Sequence, residues 1–297
     1  MKYAKLSLFI VIALTVALFI YGCAGAPEEV KEPEPEPKKE EVEEEKPQFK
    51  EVEETVQMVK RESSYYPDGV LDQYRVYTYK ESGMNLLEEV LYNSEDEVEE
   101  RVEYEYRDDE KISKTTYDSN GNVVSVHKYS YDENGNLVED ALYNQNDELQ
   151  SISRYEYGEK GRKVKWSVYD SSESLLAYTE YIYENGKNTK IENYSPGGTM
   201  EDYFLIEYNS GGKKVKETWY DSSDEVQEYR EYSYENGNLV KEVVKRGNDS
   251  IKRIIEYNNN EKGNPTKVVY KDGGENVEER VAYEYVTRTR TRRVPVE

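Results

Sequence analysis

The chain has one cysteine, one histidine, two tryptophans and four phenylalanines in 297 residues. A single cysteine excludes an intrachain disulfide, so the fold must hold without covalent staples. A single histidine, His127, leaves Ser-His-Asp and Cys-His chemistry with one candidate, and it stands at a position where comparable segments carry Ser153, Thr179 or Arg230. Gly-rich phosphate loops and spaced metal-ligand clusters are missing too. No catalytic residue, metal or cofactor is therefore expected. Positive charge is short as well, with 40 Lys and Arg against 63 Asp and Glu and a net charge of -23. That balance disfavours nucleic acid as a partner, because duplex binding relies on cations that neutralise phosphates. Mean hydropathy is -1.01, and a conventional large apolar core is not expected.

The one sustained apolar run lies at the start, from Leu6 to Ile20 behind Lys2 and Lys5. This is the charged-then-apolar layout of a secretory signal, and the run is short for a bilayer span. It leads into Ile20-Tyr21-Gly22-Cys23-Ala24, which resembles the lipobox of bacterial lipoproteins. The resemblance implies a signal peptide at 1–22, cleavage before Cys23, acyl chains on its sulfur and amino group, and a mature protein anchored to the cell membrane, with the outer membrane as the expected location. Several chains matter, since each buried methylene contributes about 0.8 kcal/mol and one chain gives only marginal residence. Residues 23–54 then read as the lipidated cysteine and a disordered Pro/Glu-rich linker, with Glu-Pro alternation from Glu32 to Pro37. Such a segment extends at about 3 Å per residue and serves as a spacer or a passive tether.

What the chain has in abundance is tyrosine, 31 residues of it. Pairs two apart occur at Tyr77/Tyr79, Tyr104/Tyr106, Tyr129/Tyr131, Tyr155/Tyr157, Tyr181/Tyr183, Tyr232/Tyr234 and Tyr283/Tyr285, with Ile206/Tyr208 and Ile255/Tyr257 in two further slots. They recur about 26 residues apart, a period that dictates a repeat architecture. A second landmark lies midway at Tyr66, Tyr92, Tyr117, Tyr143, Tyr169, Tyr194, Tyr220 and Tyr270, with Lys245 in the remaining slot. Turn chemistry separates the runs, as in Asp118-Ser119-Asn120-Gly121-Asn122, Glu235-Asn236-Gly237-Asn238 and Ser195-Pro196-Gly197-Gly198.

Each unit therefore reads as two strands and two turns, and residues 55–297 as an all-β, elongated antiparallel meander of about seventeen strands. Period-two alternation places both rings of a pair on one face with Leu91, Leu142, Val168, Trp219 and Val244. The other face carries Glu88, Glu139, Lys165, Lys190, Lys216 and Lys241. Open sheets rarely exceed about ten strands, so the meander is expected to curl into a shell, a wide barrel or a folded-over sheet. A membrane-spanning barrel is excluded by the charged face.

At these residues the chain resembles the YD-repeat proteins, the group that includes the RHS family. Tyr131-Asp132-Glu133-Asn134-Gly135-Asn136-Leu137 and Tyr117-Asp118-Ser119-Asn120-Gly121-Asn122-Val123 match that motif in full, and Tyr169-Asp170 and Tyr220-Asp221 keep the dipeptide. Members form long spiralling β-sheets, and large ones enclose a toxic C-terminal domain. This chain is too short to wrap a payload, and only twelve residues follow Tyr285. The resemblance thus supports a sheet rather than an activity.

The candidate binding or packing ladder is Tyr79, Tyr106, Tyr131, Tyr157, Tyr183, Tyr208, Tyr234, Tyr257 and Tyr285. Amphipathic rings of this kind suit sugars and extended peptides, although packing is their first duty. The Asp/Asn/Gly turns at Asp118 to Asn122 and Asp132 to Asn136 offer oxygen ligands for Ca²⁺, but turn geometry alone explains them. The tail Thr287-Arg288-Thr289-Arg290-Thr291-Arg292-Arg293-Val294-Pro295 reads as a cationic edge strand, or as a contact for acidic envelope polymer or the chain's own acidic linker. The leading functional expectation is a non-catalytic envelope lipoprotein that binds or scaffolds, with envelope polysaccharide or another envelope protein as partner. An immunity or antitoxin-like partner of a secreted toxin and a glycan-acting envelope enzyme are the alternatives. With 63 acidic residues, no carboxylate pair can be singled out for the latter.

Overall fold

A computed structural model describes residues 49–295 except Ser82. The expected signal peptide, Cys23 and most of the stretch read as linker lie outside the described residues. Eighteen strands follow one another: β1 (Phe49–Tyr65), β2 (Leu71–Tyr79), β3 (Leu86–Asn93), β4 (Val98–Arg107), β5 (Glu110–Asp118), β6 (Val123–Tyr131), β7 (Leu137–Asn144), β8 (Leu149–Tyr157), β9 (Lys163–Asp170), β10 (Leu175–Glu184), β11 (Lys187–Tyr194), β12 (Met200–Tyr208), β13 (Lys214–Asp221), β14 (Val226–Glu235), β15 (Asn238–Arg246), β16 (Ile251–Asn259), β17 (Pro265–Asp272) and β18 (Val277–Pro295). Strand β1 begins at Phe49, inside the stretch read from the sequence as linker.

Every strand pairs antiparallel with its neighbours in sequence, and β18 returns to pair with β1. The ring is therefore closed, an up-and-down barrel. Closure answers the problem of a long open sheet, because it removes both edges and their unpaired amides. Register shifts recur beside the tyrosine landmarks: between Thr78 and Tyr79 and between Glu105 and Tyr106 at one rim, and between Leu91 and Tyr92 and between Thr116 and Tyr117 at the other. Such bulges bend the strands and increase their twist, which is how a meander acquires the curvature to close.

Turn geometry follows the residues. At the β14–β15 hairpin Asn236 and Gly237 both take positive φ, 47° and 87°, the two-residue turn that matches strand twist. Four-residue turns use an Asp or Asn side chain instead. Asp118 Oδ1 accepts from the backbone N–H of Asn120 and Asn122 at 2.9 and 2.8 Å, and Asp132 does the same for Asn134 and Asn136. Those carboxylates are spent on the turn. Their pKa values are held below the usual carboxylate range, first by the side-chain bonds from Asn122 and Asn136.

A barrel of 16 to 18 strands is wide enough to leave an aqueous interior, and the burial pattern agrees. No large side chain among the described residues is completely buried. The best-packed cluster is a wall patch of Ile255, Val268 and Val281 with Tyr257, Tyr270 and Tyr283 against it. Strands β1 and β18 run past the other strands: residues 49–59 and 285–295 pair only with each other, forming a two-stranded arm on the rim where the chain enters and leaves. The Thr-Arg tail is thus paired with β1 on one side and is an edge strand of the arm on the other. Glu54 bridges Arg290 and Arg292, and Arg288 Nη1 donates to the carbonyls of Lys80, Glu81 and Gly83 at the β2–β3 turn.

Candidate functional site: the inner wall

The face that carries the tyrosine pairs also lines a concavity of the barrel. Cross-strand neighbours run Tyr181, Ile191, Phe204, Trp219 and Glu228 across β10 to β14, and the concavity of about 390 Å³ is lined by Asn193, Asp202, Phe204, Glu217, Trp219, Glu228, Tyr229 and Arg230. The opposite, outer face carries the residues between paired rings, such as Thr78, Glu105, Glu156 and Glu207, all exposed.

Eight of the nine ladder tyrosines have the same structural task. Between hairpins, strand pairing stops short of the arm-side rim: β3–β4 ends at Glu88 with Glu103, and β7–β8 at Glu139 with Arg154. The carbonyl just beyond is left without a strand partner, and a phenol supplies one. Tyr79 Oη donates to Val59 O at 2.7 Å, Tyr106 to Leu86 O at 2.9 Å, Tyr131 to Lys111 O at 2.8 Å and Tyr157 to Leu137 O at 2.8 Å. Tyr183, Tyr208, Tyr234 and Tyr285 repeat the bond to Lys163, Asn188, Lys214 and Pro265. These bonds clamp one hairpin to the next.

Tyr257 departs from the assignment made on spacing. Its place in the clamp is filled by Asn259, whose Nδ2 donates to Leu239 O at 2.7 Å, while Tyr257 donates to Glu242 Oε1 at 2.6 Å. Tyr257 therefore belongs to the other file of each pair, with Tyr77, Tyr104 and Tyr232, which donate to Glu62, Glu89 and Glu217. Asn258, between Tyr257 and Asn259, is exposed, whereas Glu256, expected at that place, is half-buried.

Two midway assignments move in the same way. Tyr66 lies beyond the end of β1 at 51% exposure and Tyr65 occupies the bulge position, while Lys271 rather than Tyr270 does so in β17. Tyr270 is an inner-wall residue paired with Ile255. The other midway tyrosines sit on the outer, charged face, so the division into one tyrosine face and one Glu/Lys face does not hold. There they stack on neighbouring rings or lie under cations. Tyr74 and Tyr92, Tyr178 and Tyr194, and Tyr203 and Tyr220 stack at 4.8 to 4.9 Å. Arg101 lies over Tyr117, Lys128 over Tyr143, Lys165 over Tyr178 and Lys190 over Tyr203, all at 4.1 to 4.4 Å. Such contacts are worth roughly 0.5–1 kcal/mol each at exposed sites.

The inner wall is charged as well as aromatic. Arg75 Nη1 donates to Glu89 and Glu100, both at 3.2 Å, and Arg230 Nη1 to Glu242 at 3.1 Å, where Glu242 is only 7% exposed. Burial, and then the neighbouring carboxylates, push the phenols of Tyr77, Tyr104 and Tyr257 well above the ordinary tyrosine range. His127 also faces inward, with its Nδ1 2.7 Å from Asp140 Oδ1 and its ring stacked on Tyr129. Among the described residues no group of three or more His, Cys, Asp or Glu is placed to hold a metal ion.

The fold defines a closed antiparallel barrel with a wet, aromatic and charged interior. No known protein family matches the sequence, and no curated protein does. Among solved structures, a porin-like protein from Bacteroides uniformis ATCC 8492 aligns over 77% of this chain and 98% of its own, at 10% identity and a TM-score of 0.42. A porin-like protein from Bacteroides vulgatus ATCC 8482 aligns over the same shares at 10% identity and a TM-score of 0.29. The TcdB2-TccC3 toxin structure aligns over 71% of this chain but 15% of its own, at 12% identity and a TM-score of 0.28. Likeness at this level does not establish a fold; the barrel's closure rests on its own strand pairings.

Proposed function

We propose that the chain is a lipoprotein of the bacterial cell envelope, held at the outer membrane by acyl chains on Cys23, whose barrel binds or scaffolds other envelope components without catalysis. The outer wall is the observation that carries this reading. It presents Glu103, Glu105, Glu139, Arg154, Lys165, Glu180, Lys190, Glu207 and Lys216 rather than the apolar band a membrane-spanning barrel shows to lipid. A wall of this kind stays in water, so attachment falls to the lipobox-like Ile20-Tyr21-Gly22-Cys23. The interior, lined by rings and paired charges, offers the contact surface, with envelope polysaccharide or another envelope protein as the partner.

Labelled palmitate supplied to bacteria expressing the full chain tests the anchor. The wild-type protein is expected to take up label and sediment with membranes, and Cys23→Ser to lose the label and move to the soluble fraction. A Cys23→Ser protein that still sediments with membranes and resists salt extraction would contradict the proposal.

A further inference from the structure

On much of the inner wall an inward phenol donates to a carboxylate on the preceding strand, Tyr77 to Glu62, Tyr104 to Glu89, Tyr232 to Glu217 and Tyr257 to Glu242. Across β9 to β13 this arrangement gives way to Trp166, Ile191, Phe204, Ile206 and Trp219 on the same face. Both tryptophans of the chain lie in this patch. Trp219 is 37% exposed although it points into the barrel, and it stacks on Phe204 with centroids 6.2 Å apart and planes at 15°.

A fixed polar row crosses the same patch. Thr179 Oγ1 donates to Asn193 Oδ1 at 2.8 Å, and Asn193 Nδ2 donates to Asp202 Oδ1 at 2.6 Å. The asparagine is thereby locked, and Asp202 is left as a strong acceptor beside the rings. Trp166 Nε1 is buried and finds no acceptor in the protein. The concavity of about 390 Å³ above Phe204 and Trp219 adjoins a second of about 260 Å³ lined by Trp166, Thr179, Tyr181 and Ile191, and the two share Asn193, Phe204 and Glu217. Together they fall in the range of small-ligand sites.

We propose that this groove binds a neutral oligosaccharide, the sugar's C–H face lying on Trp219 and Phe204 and its hydroxyls donating to Asp202. Charge decides the ligand class. Glu217 already accepts from Tyr232 and Lys214, both at 2.9 Å, Glu228 pairs with Lys252, and Arg230 with Glu242. An anionic ligand finds no unpaired cation on the groove's lining, and a cationic one finds most of the carboxylates taken. A hydroxylated, uncharged ligand with an apolar face matches what remains: exposed ring surface and a positioned acceptor. The inference rests on the binding role proposed above and gives it a ligand and a place.

Because both tryptophans stand in the groove, tryptophan emission excited beyond the absorbance of the 31 tyrosines reports on it alone. The full chain in mild detergent, titrated with maltohexaose, cellohexaose and chitohexaose, is expected to shift its tryptophan emission with at least one of them and to give a matching calorimetric isotherm. Trp219→Ala and Asp202→Asn, each with an unchanged far-ultraviolet circular dichroism spectrum, are expected to weaken that affinity about tenfold or more. Tyr285→Phe, across the barrel, is expected to leave it unchanged. The inference is overturned if none of the three sugars binds at millimolar concentration, if folded Trp219→Ala binds as wild type does, or if only a lysine hexapeptide or polygalacturonate shifts the emission. Pull-down from envelope extracts separates this inference from the broader one. Partners retained equally by wild type and Trp219→Ala would sink the groove and leave the scaffold, whereas retention of nothing by either would sink both.

Discussion

Raising the pH from 9 to about 12 should unfold the barrel in one steep transition, ahead of any loss on the acid side of neutrality of comparable size. The cause is tyrosine. The phenols of Tyr77, Tyr104, Tyr129, Tyr257 and Tyr283 are pushed up mainly by burial and then by neighbouring carboxylates or phenols. Tyr194 is raised to about 12, chiefly by donating to Glu192, and Tyr203 to about 12, chiefly by donating to Asp224. In the unfolded chain a phenol ionises near 10.

The sign follows from which state holds the proton. Above pH 10 the unfolded chain releases protons that the barrel retains, so the equilibrium is drawn toward unfolding. The stabilising contribution is complete below the unfolded value and disappears as pH climbs through the folded one. Each half-buried phenol on the inner wall removes up to about 1.4 kcal/mol per pH unit in that window, less where water screens it. Several acting together exceed the stability of about 5–15 kcal/mol usual for a domain. Phenolate absorbance and far-ultraviolet circular dichroism followed on the same sample should change together. Phenolate formation completed near pH 10 with the sheet signal intact would show that the tyrosines are not held by the fold.

Removing four clamp hydroxyls at once, with Tyr131→Phe, Tyr157→Phe, Tyr183→Phe and Tyr208→Phe, should cost about 4 kcal/mol. Each substitution keeps the ring and deletes one bond to a backbone carbonyl that has no strand partner. A net value of about 1 kcal/mol per bond applies, since the carbonyl lies near a rim that water can reach. The four sites stand on alternate strands and share no partner, so their costs should add. The urea midpoint would fall markedly, whereas Tyr66→Phe, beyond the end of its strand, should leave it unmoved. A quadruple variant as stable as wild type would reduce the ladder to packing alone.

Much of this barrel is legible in the sequence because local chemistry repeats. Asn236-Gly237 and the Asp-x-Asn-Gly turns announce the reversals, and alternation around the Tyr pairs assigns the inner face. What escaped is what local pattern does not encode. Around Tyr257, Ile255-Glu256-Tyr257 and Tyr257-Asn258-Asn259 offer the same face at two registers, and tyrosine content selected the one that is two residues early. The signal was present in the spacing: 23 and 28 residues on either side of Tyr257 become 25 and 26 when Asn259 is taken instead. The midway tyrosines were left without a face, although unbroken alternation carries Glu88 to Tyr92 and Glu139 to Tyr143 on the outer side. Closure is a global property of strand number, shear and twist, and no single unit carries it. The Trp219 groove is a departure from the repeat, visible in sequence only as the place where tryptophan and phenylalanine replace tyrosine and acid.

The account depends above all on the first strand meeting the last. Ser63 on β1 stands opposite Ala282 on β18 in the body of the barrel. A Ser63→Cys, Ala282→Cys chain carrying Cys23→Ser, oxidised under native conditions and run on a denaturing gel without reductant, measures that contact directly. Closure predicts near-complete formation of an intramolecular disulfide and a faster-migrating band. A folded, β-rich protein whose two thiols stay free would show that the sheet is open.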